Sequence, residues 1–157
     1  MTTPAEPAAR RERAIADITA RTGIDEPMIE RLVRAFYARI RTDAVLAPIF
    51  AARIIDWELH LARMCAFWSS VALMTGRYHG QPMTAHLGLP IDTPHFDRWL
   101  ALFADTANAI CPPAAAAHFI ERAYRIADSL ELGIAAGKGE IRPRRVRPPG
   151  AAPMPPR

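Results

Sequence analysis

Apolar side chains recur every three or four residues along most of this chain, and this spacing predicts helices. The clearest stripe is Ile29, Leu32, Val33, Phe36 and Ile40. Asp25 can cap this helix at its start, and Pro27 stands near its first position. No segment shows the sustained alternation of a strand. The pattern therefore predicts an all-α fold.

The same spacing, together with glycine and proline boundaries, predicts six further helical pieces. They cover residues 10–21, 44–50, 57 to about 75, a short piece around 86, 93 to the Pro112-Pro113 pair, and from there to about 136. Asp56 is expected to cap the long third piece, and Thr93 the helix in which Pro94 takes the first position.

The composition divides the 157 residues into three parts. We expect residues 1–24 to form a leader and a short helix, with residues 1–9 disordered, and residues 25–136 to form one domain. Residues 137–157 consist mostly of Pro, Arg and Ala with few large apolar side chains. Such a segment buries too little surface to offset its chain entropy, so we expect a disordered tail.

The basic charge lies mainly in that tail. Residues 1–136 hold 14 Arg against 15 Asp or Glu, a balance of −1, whereas residues 137–157 have a balance of +5. The folded part therefore needs no nucleic acid as a partner. The longest strongly apolar stretch, residues 64–76, is shorter than the roughly 17–25 residues of a membrane span, so we expect no membrane partner.

Two cysteines, Cys65 and Cys111, lie far apart and form no C-x-x-C pair. They do not indicate a disulfide framework or a metal knuckle, and a C-x-x-C-H site for covalent haem attachment is absent. Reduced thiols and an N-terminus without a secretory signal favour a cytoplasmic protein.

His86 is the most informative residue for chemistry. It lies on a short helical piece behind a glycine and proline turn that begins at Gly76. A haem iron needs an imidazole held from a fixed side, with the second ring nitrogen bonded to an acceptor that sets the tautomer. His86 fits this requirement. On this stretch alone, the alternative is a histidine buried in a mostly apolar segment.

A second histidine, His60, lies on the apolar and aromatic face of the long helix. The apolar members of that face are Trp57, Leu61, Met64, Phe67, Trp68 and Val71. A flat apolar cofactor needs such a wall, with one polar group where a gas ligand would sit. The alternative is an ordinary buried helix.

With these elements in order, residues from about 25 to 132 resemble the truncated haemoglobins, and within them group III. The likeness rests on several motifs in the correct order. They are Phe36-Tyr37, Pro48-Ile49-Phe50, Trp57 with His60, Phe67-Trp68, the block from Gly76 to Leu87, and Phe96 to Trp99.

The resemblance implies a shortened globin fold in which two antiparallel helix pairs sandwich a non-covalently bound b-type haem. It implies that His86 is the proximal ligand of the iron and that His60 is the distal histidine. Tyr37 and Trp99 would donate hydrogen bonds to a bound gas.

Other side chains are expected to contact the cofactor. They are Phe36, Phe50, Met64, Phe67, Trp68, Tyr78 and Met83. Arg77 is a candidate partner for a haem propionate, because a guanidinium binds a carboxylate through two hydrogen bonds. His79, His95 and His118 are expected at the surface.

Three functions follow as hypotheses. The leading one is reversible binding of dioxygen, nitric oxide or carbon monoxide at a haem iron held by His86. The second hypothesis is that the same site is catalytic and oxidises nitric oxide or activates peroxide, with electrons from an unidentified redox partner. The third is a helical interaction module without a cofactor.

Overall fold

The structure is a computed structural model that describes residues 5–139. It contains α1 (Ala5–Thr22), α2 (Glu26–Ile40), α3 (Ala47–Arg53), α4 (Trp57–Leu73), α5 (Pro82–His86), α6 (Thr93–Ile110) and α7 (Pro113–Gly137). No strand occurs among the described residues. The prediction of an all-α fold is confirmed.

Two of the predicted helix starts have the expected caps. The Asp25 carboxylate accepts a hydrogen bond from the Met28 backbone N–H at 2.9 Å, and the Asp56 carboxylate accepts one from Leu59 N–H at 3.1 Å. The long helix α4 ends at Leu73 rather than near residue 75, because Met74 has a left-handed φ of 61° that stops the helix.

The N-terminal helix is longer than the sequence pattern indicated. It begins at Ala5, not Arg10, so the expectation of a disordered leader over residues 1–9 is wrong for residues 5–9. Alanines favour the helical backbone, and Glu6 pairs with Arg10 one turn later at 3.1 Å. These local interactions extend a helix whose apolar stripe is short.

The cap of α6 also differs from the prediction. Asp92, not Thr93, is the N-cap residue, and its carboxylate accepts from the Thr93 N–H at 2.8 Å. His95 completes a capping box, because its Nδ1 accepts a hydrogen bond from the Asp92 N–H at 3.0 Å. His95 therefore serves the helix start and is not simply a surface side chain.

The helices form two packed pairs, α2 with α4 and α6 with α7, and α2 packs on α6 between them. This is the arrangement of the truncated globin fold. Phe36, Phe103 and Phe119 are fully buried where the pairs meet. Phe103 lies between two indoles, stacked on Trp68 with a centroid distance of 4.9 Å and on Trp99 at 5.5 Å.

A buried ion pair places the turn before α3. Asp43 accepts hydrogen bonds from Arg98 Nε on α6 at 2.8 Å and from the Leu46 N–H at 3.0 Å. Burial alone would raise the pKa of Asp43, but these donors lower it below its ordinary value. The carboxylate thus stays ionised and holds α3 near α6.

His118 joins α7 to α4. Its Nε2 lies 2.9 Å from the Ala72 carbonyl oxygen, and its ring is half-buried. The expectation that His118 is a surface residue is therefore wrong. An imidazole N–H satisfies a backbone carbonyl at this helix contact, a requirement that the sequence does not reveal.

The first helix shares the core with the rest of the domain. Ile18 is buried in it, and α1 packs on α4 and α7. The C-terminal tail prediction falls mostly on residues 140–157, which lie outside the described residues. Within residues 5–139, no helix is both long and apolar enough to cross a membrane.

Candidate functional site

His86 is the last residue of α5, a five-residue helix that starts at Pro82. Its Nδ1 lies 2.6 Å from the Pro82 carbonyl oxygen, one turn earlier in the same helix. A carbonyl can only accept a hydrogen bond, so Nδ1 donates and Nε2 keeps its lone pair. This is the tautomer in which Nε2 can bind a metal, with the ring direction set by the backbone.

Helix α5 is held against α7 by a close contact at Gly133. A Cβ placed on Gly133 would lie 2.3 Å from both Sδ and Cε of Met83. Only glycine therefore allows Met83 to lie where it does. From the other side, Arg53 of α3 donates to the Leu87 carbonyl at 3.4 Å, just after His86.

Tyr37 lies at the centre of a group of rings formed by α2, α3 and α4. Its ring centroid is 4.9 Å from that of His60, 5.1 Å from Phe36 and 5.9 Å from Phe50. The side chain is buried, and burial raises its pKa well above the ordinary value. Its hydroxyl therefore keeps its proton and can act as a hydrogen-bond donor at any physiological pH.

His60 is half-buried, and its Nε2 has no hydrogen-bond partner among the residues that the structure describes. Burial lowers its pKa, and electrostatic interactions with Arg63 and His86 lower it further. His60 is therefore neutral near pH 7. Because His86 influences this pKa, the two imidazoles lie within electrostatic reach of each other.

Trp99 joins the distal group through Phe36. Their centroids are 5.3 Å apart at 88°, and the indole also stacks on Phe103. Trp99 is half-buried, which leaves part of the indole for contact with another molecule. Trp68, in contrast, is buried and stacked in the core.

Half-buried apolar side chains continue from His60 along α4. Met64 and Phe67 follow on the same face, and Phe67 meets Tyr78 edge to face at a centroid distance of 5.3 Å. The Tyr78 N–H donates to Ser70 Oγ at 2.8 Å, so the loop after α4 returns along that helix. Together they form a wall of sulfur and ring atoms beside the two histidines.

Arg77 lies on another side of α4. It pairs with Glu26 at 3.1 Å, and Glu26 also accepts from Ser69 Oγ at 2.6 Å. The guanidinium already has a carboxylate partner in the protein. Its role toward a propionate stays a prediction.

Two residues near the site were not selected from the sequence as candidates. Arg63 acts on His60, which it follows by one turn of α4, and this spacing is a signal that could have found it. Gly133 gives no such signal, because its partner Met83 is 50 residues away in the chain. Trp57, which the sequence placed with His60 on the apolar face of α4, meets both Tyr37 and His60, with centroids 6.1 and 5.8 Å away.

This arrangement fits a haem. One imidazole, His86, has a lone pair at Nε2 with its ring direction set by the backbone, and a second imidazole, His60, has an unpartnered Nε2 beside half-buried apolar side chains. Residues 5–139 contain no group of three or more His, Cys, Asp or Glu side chains that could hold a bare metal ion. A porphyrin supplies four iron ligands itself and needs only one axial ligand from the protein.

Comparisons with known proteins show which family the chain resembles. Residues 21–130 match the model of the family described as bacterial-like globin. The chain is similar to the group 3 truncated hemoglobin ctb of Campylobacter jejuni, with 33% identity over 113 residues, or 69% of this chain and 89% of the relative. It is also similar to the group 1 truncated hemoglobin GlbN of a Nostoc species, with 38% identity over 46% of this chain and 60% of the relative.

A solved structure shows the same likeness. The crystal structure of the group III truncated hemoglobin from Campylobacter jejuni aligns with a TM-score of 0.64 and 33% identity. The alignment covers 69% of this chain and 89% of that one.

Proposed function

Because this chain belongs to the bacterial-like globin family and is a globin-type haem-binding protein, we propose that it reversibly binds a diatomic gas at a b-type haem held by His86. The gas is dioxygen, nitric oxide or carbon monoxide. A bound haem would supply the iron at which the gas binds. The hydrogen bond from His86 Nδ1 to the Pro82 carbonyl carries the proposal.

His86 is the proposed axial ligand. The Pro82 carbonyl fixes the ring so that Nε2 points away from the helix backbone, and it increases the basicity of that nitrogen. Met83 rests on Gly133 and holds the short helix against α7. The haem stays non-covalent in this proposal, since the sequence has no C-x-x-C-H motif.

Tyr37, His60 and Trp99 are the proposed distal residues. The Tyr37 phenol keeps its proton and donates to the gas, and the Trp99 indole N–H is a second donor. The neutral His60 offers its unpartnered Nε2 to the same ligand. A hydrogen bond from a buried donor stabilises a ligand that carries negative charge more than one that does not.

Other side chains complete the proposed set of haem contacts. Phe36 and Phe50 pack against Tyr37, and the remaining side chains are Met64, Phe67, Trp68, Arg77, Tyr78 and Met83. Within this set, Arg77 requires its pairing with Glu26 to be exchanged for a propionate.

The enzymatic alternative uses the same residues. Burial keeps the Tyr37 phenol protonated and His60 neutral. These protonation states suit hydrogen bonding to a gas, and a neutral imidazole is also the base that peroxide activation needs. Stopped-flow mixing of the oxygenated protein with nitric oxide or peroxide separates the two functions, since slow decay without turnover agrees with gas binding. The alternative of a cofactor-free interaction module does not agree with membership of a haem-binding family.

Replacing His86 by glycine tests the proposal. We expect His86→Gly to weaken haem affinity by at least roughly 100-fold and to lose the Soret band, because the axial bond is gone. Added imidazole should restore the band by filling the space, which distinguishes a lost ligand from a misfolded chain. The exposed His79 provides the matched control, and His79→Gly should keep normal absorption. Unchanged haem ligation in His86→Gly would overturn the proposal.

A further inference from the structure

A separate cleft opens on the outer side of Trp57. It has a volume of about 350 Å³ and is lined by Arg41, Ala47, Pro48, Ala51 and Trp57. The end of α2, one face of α3 and the start of α4 form its walls. None of its lining residues belongs to the proposed haem contacts.

The Trp57 indole separates this cleft from the distal rings. On its inner side, its centroid is 6.1 Å from Tyr37 and 5.8 Å from His60. The indole itself is half-buried. A rotation of this one side chain into the cleft would therefore open a passage toward the distal histidine, without a change in any helix.

Arg41 lies against the same indole. Its guanidinium carbon is 4.5 Å from the ring centroid. Among residues 5–139, no ion pair involves Arg41, although eight ion pairs are formed elsewhere in that range. The cation–π contact is thus the interaction that orients this side chain. A contact of this kind at an exposed position is weak and breaks readily.

The rest of the cleft is apolar. Ala47, Pro48 and Ala51 present only carbon side chains. Such a surface does not hold water or ions strongly, whereas a small uncharged molecule passes over it at little cost. The lining therefore suits dissolved gases.

We propose that this cleft is an entry route for uncharged diatomic ligands. The Trp57 indole closes the inner end of the route, and the Arg41 guanidinium stabilises the indole in that closed position. The inference rests on the proposed function, because it assigns a path to the distal site described above. Ligand entry would then depend on Arg41, which is neither one of the proposed haem contacts nor one of the proposed distal residues.

Two opposite changes test the route in the intact haem-loaded protein. Arg41→Ala removes the cation–π contact that stabilises the Trp57 indole in its closed position, and Ala51→Trp fills the cleft. We expect the bimolecular association rate of carbon monoxide after flash photolysis to rise by about two- to fivefold in Arg41→Ala, the factor that matches one exposed cation–π contact. In Ala51→Trp the rate should fall.

Matched controls lie next to each position. Arg39 is an exposed arginine near the same end of α2, and Ala52 is an exposed alanine beside Ala51, and neither lines the cleft. Arg39→Ala and Ala52→Trp should leave the association rate unchanged.

A second measurement follows the Trp57 indole directly. In the carbon monoxide-saturated protein, which is diamagnetic, ¹⁵N-labelled tryptophan gives three indole signals, and Trp57→Phe identifies one of them. Arg41→Ala should speed hydrogen exchange of the Trp57 indole N–H and leave the other two unchanged.

The outcomes separate this inference from the proposed function. Rates in Arg41→Ala and Ala51→Trp that equal those of their controls would overturn the route, even if His86→Gly loses its haem as expected. A faster rate in Arg41→Ala without a slower one in Ala51→Trp would also overturn it, since Arg41 would then act on the pocket and not on a path. Retention of normal haem ligation in His86→Gly would instead refute the proposed function.

Discussion

Tyr37 shows how a single side chain acquires a role from its surroundings. The sequence identifies the residue only as a tyrosine with an ordinary phenol. In the structure, four aromatic neighbours bury this phenol, and burial raises its pKa. The ring contacts also restrict its orientation. A buried phenol that cannot ionise is a permanent hydrogen-bond donor.

The corresponding prediction concerns Tyr37→Phe. We expect the dioxygen dissociation rate to rise about tenfold, because the loss of one hydrogen bond of roughly 1.4 kcal/mol changes an equilibrium tenfold. Stopped-flow displacement of dioxygen by carbon monoxide measures this rate. Tyr124→Phe on α7 serves as the control and should behave as the parent protein. An unchanged rate in Tyr37→Phe would show that the phenol does not donate to the gas.

At the scale of helices, α5 depends on α7 more than on its own sequence. Five residues are too few to form a stable helix alone, so packing must supply its position. The contact of Met83 with Gly133 provides that packing, and Arg53 adds a hydrogen bond at the Leu87 carbonyl. The direction of the proposed iron ligand is thus set by residues far away in the chain.

Gly133→Ala tests this dependence. Alanine favours the helix by about 1 kcal/mol, so global stability should change little, but the new methyl group displaces Met83 and loosens α5. We expect faster haem loss, measured as transfer to a haem-scavenging protein, with nearly unchanged urea unfolding of the haem-free chain.

Gly137→Ala is the control for that experiment. A Cβ at Gly137 would approach only Leu87 Cδ2, at 3.4 Å, which is close to ordinary contact. Haem loss from this variant should match that of the parent protein. Equal rates in both glycine variants would show that α5 does not rely on Met83.

For the whole molecule, the described structure extends beyond the family match. That match begins at residue 21, so nearly all of α1 precedes it. Nevertheless, Ile18 is buried in the common core, and α1 packs on α4 and α7. The helix therefore contributes to the stability of the globin domain.

We expect Ile18→Ala to lower the free energy of unfolding by about 2–4 kcal/mol, as for other large-to-small changes in a core. Urea unfolding followed by circular dichroism measures this loss. The carbon monoxide association rate should stay the same, because α1 carries none of the proposed haem contacts or distal residues. A loss below about 1 kcal/mol would mean that α1 is only loosely attached.

Local patterns were sufficient for the helical class, the order of the helices and two of their caps. Periodic apolar positions require burial on one face wherever they occur, and Asp25 and Asp56 act within three residues of themselves. The motifs also sufficed to recognise the family, since their order along the chain is itself a property of the sequence. The sequence pattern did not predict the start of α1 or the cap of α6 correctly. The helix propensity of alanine and the capping role of a histidine are weaker indicators than the other features of the sequence near those positions.

Packing between distant segments decided the rest. The neutral state of His60 and the protonated state of Tyr37 arise mainly from burial in the folded chain, whereas the tautomer of His86 is set within α5 by the Pro82 carbonyl. Contacts across the fold also place Gly133 beneath Met83 and the Trp57 indole between the cleft and the distal rings. A chain reports the kind and spacing of its side chains, but charge states, contacts and passages depend on which surfaces meet in three dimensions.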